Sequence, residues 1–157
     1  MAHARFAALP TAEVRAVQGG GLDANGLPPE RHISDGDGNP CRHCLTEIAA
    51  GEPMLVLAWR PFPEPQPYAE LGPIFLHAER CQRYDAGGDV PPMFLAWERL
   101  LLRGYDAAHR IVYGTGQTVE TREFAAVAEE LLARPELAYL HVRSAGNGCY
   151  QCRIERV

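Results

Sequence analysis

The feature that most constrains this chain is a pair of short Cys/His signatures. Cys41-Arg42-His43-Cys44 is a C-x2-C pair, His77-Ala78-Glu79-Arg80-Cys81 is an H-x3-C pair, and 32 residues separate them. The x2 spacing lets a tight turn aim two thiolates at one ion. A strand that ends at His77 would deliver an imidazole, and the next turn a further thiolate. Together Cys41, Cys44, His77 and Cys81 make a Cys3His set, the donor set of closed structural zinc sites. Pro40 and the glycine-rich stretch before it favour a knuckle over a helix. Four protein ligands leave no open coordination position, so such a metal supports folding rather than catalysis. Two other readings stand beside it: three buried inert cysteines with a hydrogen-bonded histidine, or redox or catalytic thiols.

The 157 residues are expected to form a single domain over 1–157. A chain of this size buries enough surface for a core without disulfide staples. All 15 cationic residues are arginine, and the only serines are Ser34 and Ser144. No Schiff-base lysine, P-loop lysine or serine nucleophile elbow is therefore available. The net charge of −5 argues against nucleic acid as a partner. No apolar run approaches the length of a membrane span, so no membrane partner is expected. Met1-Ala2-His3-Ala4-Arg5-Phe6 lacks the charged and apolar regions of a signal peptide. The five cysteines are thus expected to be cytoplasmic and reduced, where paired spacing points to metal or catalysis before disulfides.

The pattern predicts an α+β fold: a mixed or mainly antiparallel sheet of about five to seven strands, one main helix and a C-terminal β-hairpin. Strands are expected at 4–8, 31–34, 54–59, 74–76, 99–105 and 109–113, the last pairing back across Asp106-Ala107-Ala108. The apolar run 54–59 suits a strand buried on both faces. Pro61, Pro63, Pro65 and Pro67 predict a stiff, extended surface crossover. A short helix is expected at 12–18, capped by Thr11, and a helical turn at 92–97. The main helix is expected at 121–133, capped by Thr121, with Phe124, Val127, Ala128, Leu131 and Leu132 on one face.

The hairpin alternates on both arms. Ala138, Leu140 and Val142 pair in pattern with Tyr150, Cys152 and Ile154, around a glycine-rich loop. The opposite face would carry Tyr139, His141, Arg143, Gln151, Arg153 and Glu155 as a solvated surface laced with Arg–Glu contacts. A weaker functional reading places a site there. Arg143 and Arg153, joined by Arg103 and Tyr105 from a neighbouring strand, would clamp a carboxylate or phosphate. Cys149, near His141 or Arg143, would be a functional thiol. Cys149-x2-Cys152 repeats the metal spacing, but on a regular strand its thiols face opposite ways.

Two further motifs fail. Asp35, Asp37 and Asn39 open like a calcium loop, but Pro40 and Thr46 occupy the glycine and glutamate positions. Gly114-Thr115-Gly116 lacks the third glycine and the acid of a dinucleotide loop.

Several segments are long enough to be specific: Pro40 to Leu45, Arg60-Pro61-Phe62, Pro67 to His77, Arg103-Gly104-Tyr105-Asp106 and Gly148 to Ile154. In these the chain resembles a bacterial family called domain of unknown function 1203. The resemblance implies a stand-alone bacterial protein of about this length, and it implies no activity. The residues themselves favour a zinc-stabilised binding or interaction module for a small molecule or protein. The alternative is a Cys- or Arg-dependent enzyme acting on a small anionic substrate at the 141–153 face.

Overall fold

The computed structural model describes residues 4–85 and 87–157; Met1, Ala2 and His3, read above for a targeting signal, lie outside them. The elements run β1 (Ala4–Ala7), α1 (Thr11–Gln18), β2 (Glu30–Ile33), β3 (Pro53–Trp59), β4 (Gly72–His77), α2 (Pro92–Leu95), β5 (Arg99–Tyr105), β6 (Gln117–Glu120), α3 (Phe124–Leu132), β7 (Tyr139–Ser144) and β8 (Tyr150–Arg156). The α+β class, the main helix and the terminal hairpin stand as expected. The single sheet does not: the strands form a five-stranded sheet in the order β1-β8-β7-β5-β6 and a three-stranded sheet in the order β2-β3-β4. Every pairing between named strands is antiparallel.

The large sheet has apolar cover on both sides. On one, Leu100, Leu102, Leu140, Val142, Cys152 and Ile154 pack with Phe124, Ala128, Leu131 and Leu132 of α3. On the other, Tyr105 and Tyr139 meet Phe62, while Tyr150 joins the core of the small sheet and α1. The hairpin face expected to be solvated is therefore an interior. Two sequence features bring this about. The proline-rich segment does not run as an extended crossover; it bends and inserts Phe62, whose ring lies 5.3 Å from Tyr105 and 5.0 Å from His141. The hairpin also contains a β-bulge: Val142 faces Cys152, yet Arg143 faces Tyr150, leaving Gln151 as the extra residue. A bulge breaks the alternation. It turns Tyr150 onto the His141 face, with ring centroids 4.8 Å apart.

The expected strand at 109–113 is replaced by a loop, and β6 takes its place beside β5. Asp106 accepts hydrogen bonds from the N–H groups of Ala108 and Arg110, forming a tight turn with His109 at φ 63°. After one bridge from Tyr105 to Ile111, Thr115 accepts the Gly104 N–H at 2.9 Å. That side chain occupies the donor a continuing ladder would need. Gly104 is required there, because a Cβ would lie 2.7 Å from Leu137 and 2.9 Å from Thr115.

Neither threonine caps its helix. Helix α1 has Pro10 at its N-cap, and Thr11 instead hydrogen-bonds His43 Nε2 at 2.9 Å. Thr121 opens a 3-10 turn, Thr121–Glu123, ahead of α3, and its hydroxyl donates to the Trp97 carbonyl. In both cases a tertiary partner outcompetes the local N–H groups. Strand β3 is central in its sheet, yet neither face is sealed along its length; Val56, Ala58 and Trp59 are half-buried.

Candidate metal centre

The two Cys/His signatures converge at one end of the small sheet. Residues 40–47 form a knuckle: Pro40 bridges Glu47, the Leu45 N–H donates to the Cys41 carbonyl at 3.0 Å, and Leu45 takes φ 55°. Strand β4 ends at His77, and the chain turns directly to Cys81. The Arg42 N–H bonds the Phe75 carbonyl and the His77 N–H points at Cys41 Sγ, so the knuckle is docked on β4 itself.

The donor atoms of Cys41, Cys44, His77 and Cys81 all lie within 4.8 Å of one another, with Cys41 buried and the other three half-buried. Cys41 Sγ and Cys81 Sγ are 3.9 Å apart; Cys44 Sγ and His77 Nδ1 are 3.4 Å apart. Zinc bonds of about 2.3 Å to sulfur and 2.0–2.1 Å to nitrogen place tetrahedral neighbours roughly 3.5–3.8 Å apart. These two edges bracket that range. This set can hold a metal ion.

Surrounding groups orient the ligands. His77 presents Nδ1 to the cluster and sets Nε2 3.1 Å from Glu52 Oε2, the arrangement of a carboxylate that fixes a ligating imidazole. Thr46 Oγ1 lies 3.1 Å from Cys44 Sγ. His43 Nδ1 lies 3.1 Å from Cys81 Sγ, and its Nε2 meets Thr11. A thiolate accepts and the Thr11 hydroxyl can donate, so the consistent tautomer carries the proton on Nδ1. Burial, then the Arg15 charge, lowers the His43 pKa and keeps that imidazole neutral. Arg15 and Gln18 of α1 donate to the carbonyls of Cys81, His77 and Glu79. None of these outer groups carries a spacing signal in the sequence.

Without a metal, hydrogen bonds that the imidazolium donates to Cys41 and Cys44 push His77 up to about 10. Hydrogen bonds from Cys41, Cys81 and His77 pull Cys44 below its ordinary value, while Cys81 is raised by the same two sulfurs that act on His77. The cluster thus favours a Cys44 thiolate beside a His77 cation, with Cys81 holding its proton.

Residues 38–156 match the family model described as Protein of unknown function (DUF1203). The chain belongs to this family. No curated protein and no solved structure matches it. In this DUF1203 protein all four candidate ligands, and Glu52, fall inside the matched segment, whereas α1, which braces the cluster, lies before it.

The second set of candidate residues is brought together, but under cover. Tyr105 and His141 are fully buried. Arg103 and Arg143 converge on Glu70 Oε1, at 2.7 and 2.9 Å. The Arg153 guanidinium stacks 3.7 Å above Tyr139 and pairs with Glu155. Cys149, half-buried, lines one cleft with Arg42 and a second with Glu70 and Arg143, and Cys152 is sealed in the core. Cys149 and Cys152 contribute nothing to the four-ligand cluster. The described residues contain no helix long and apolar enough to cross a membrane.

Proposed function

We propose that Cys41, Cys44, His77 and Cys81 bind one zinc ion as a closed structural site, and that the protein is a zinc-stabilised binding or interaction module. The observation that carries this reading is the convergence of the four donors within 4.8 Å of one another, with Glu52 set on the far nitrogen of His77. Zinc suits the donor chemistry: three soft thiolates with one imidazole in a tetrahedron favour zinc over magnesium or calcium, which take oxygen ligands. Once bound, the ion supplies cohesion between the knuckle and β4, and no ligand position is left for substrate.

Protein purified without added metal is expected to carry close to one zinc per chain, measured by elemental analysis. Folded protein that carries no zinc as purified and takes up none on titration with the ion would end the proposal. Glu52→Ala is expected to keep the four ligands and weaken zinc affinity about 10- to 100-fold, as loss of an orienting partner does elsewhere. Competition with a chromophoric chelator measures this; an unchanged affinity would remove Glu52 from the site.

A further inference from the structure

A cleft of about 620 Å³ opens between the small sheet and the hairpin loop 144–149. Its walls include Pro73 and Phe75 of β4 and Trp97, and Arg42, Cys149 and Gln151 also line it. Arg42 sits between two of the cluster cysteines and is only 2% exposed. Its Nε donates to the Tyr150 carbonyl and its Nη1 to the Pro40 carbonyl, both at 2.7 Å. These bonds lock the guanidinium in place but leave Nη2 without a partner among the described residues. No carboxylate there forms an ion pair with Arg42. Its guanidinium carbon lies 5.5 Å over the Phe75 ring, but a buried cation is ordinarily matched by an opposite charge as well. Gln151, also buried, has an Oε1 that accepts no hydrogen bond.

We propose that this cleft binds a small aromatic monocarboxylate, its carboxylate on Arg42 and its flat body against the apolar lining that Pro73, Phe75 and Trp97 provide. Nη2 offers two N–H donors, and charge-assisted bonds to a carboxylate are the strong ones. A guanidinium keeps its charge at any pH the fold survives, so Arg42 presents a cation to the cleft. Glu47 and Glu98 at the rim balance Arg42 and Arg99 among the lining residues, which favours a singly charged ligand over a dianionic phosphate. An N–H donor on the ligand would also meet the open acceptor of Gln151.

This inference shares with the zinc reading the placement of Arg42 by the knuckle, so zinc content is measured in every sample. The probe is hippurate, which has a ring, an amide N–H and a carboxylate, with its methyl ester as the uncharged control. Calorimetric titration of zinc-replete protein is expected to give a hippurate Kd below about 1 mM, with the ester at least about tenfold weaker. Arg42→Lys is expected to lose about tenfold in affinity and to retain its zinc, because the fork is removed and the charge kept. Cys149→Asp places a carboxylate beside Arg42 and is expected to abolish hippurate binding, while Cys149→Ser leaves it intact. Equal affinity for acid and ester, undiminished binding in Cys149→Asp, or no binding by zinc-replete protein at about 10 mM hippurate would overturn the proposal. Those results leave zinc content unchanged and so leave the metal reading standing.

Discussion

Cys41→Ser is expected to cost the protein its cooperative fold, the largest effect of any single change. Cys41 is fully buried, donates one corner of the cluster and accepts the His77 N–H. Serine keeps the size but is a poor zinc ligand, so the substitution removes the ion along with the sulfur. Structural zinc contributes on the order of 10 kcal/mol of apparent free energy in small zinc peptides, comparable with the whole stability of a domain of about this size, roughly 5–15 kcal/mol. The loss concentrates where apolar cover is thinnest. The β2 strand is exposed along its length, and the small sheet closes on the knuckle and α1 rather than on a large helix. A strong chelator added to wild-type protein is expected to reproduce the effect, and zinc to reverse it. Thermal unfolding by circular dichroism decides: a Cys41→Ser midpoint within a few degrees of wild type would show that no metal holds this fold.

His141→Phe is expected to make the protein more resistant to acid. The His141 ring is fully buried among Phe62, Tyr105, Tyr139 and Tyr150, and neither nitrogen has a hydrogen-bond partner. Burial first, then the charges of Arg143, Arg153 and Arg103, hold its pKa well below the ordinary 6.5. The folded state thus keeps His141 neutral while the unfolded chain takes up a proton below about 6.5. Native stability associated with this residue is fully present above that pH and falls as acid is added. The slope is about 1.4 kcal/mol per pH unit until the folded value is reached. Phenylalanine has no proton to bind, so the difference between variant and wild type grows by that amount per unit below about pH 6.5. Urea unfolding at a series of pH values measures it. Zinc release in acid affects both proteins and cancels in the difference, and any packing cost of the larger ring shifts the curve without changing its slope. Parallel curves would show that His141 is protonated in the native state.

The metal ligands were legible because each spacing is local: a tight turn and a strand end suffice to read them. Their supports were not, since Thr11, His43 and Glu52 act through contacts made only after β3, β4 and α1 assemble. The hairpin shows the limit differently. Its two arms are plain in the alternation of Leu140, Val142, Cys152 and Ile154. The bulge at Gln151 is invisible there, and it reverses which way Tyr150 points. Strict alternation therefore assigned a polar face to water that Phe62 and Glu70 in fact cover. Arg42 lay in plain view between two cysteines, but its burial without an acid follows from the packing of the small sheet against β8.

The strand order sets a timetable for synthesis. Strand β1 precedes the other described strands, yet it pairs with β8, so the large sheet cannot close until β8 has left the ribosome. Strands β2 to β4 and all four cluster ligands are complete once Cys81 has emerged. At about 5–20 residues per second, the remaining stretch takes several seconds to follow. During that interval the nascent chain already displays all four donors, before β8 brings Tyr150 into the core of the small sheet.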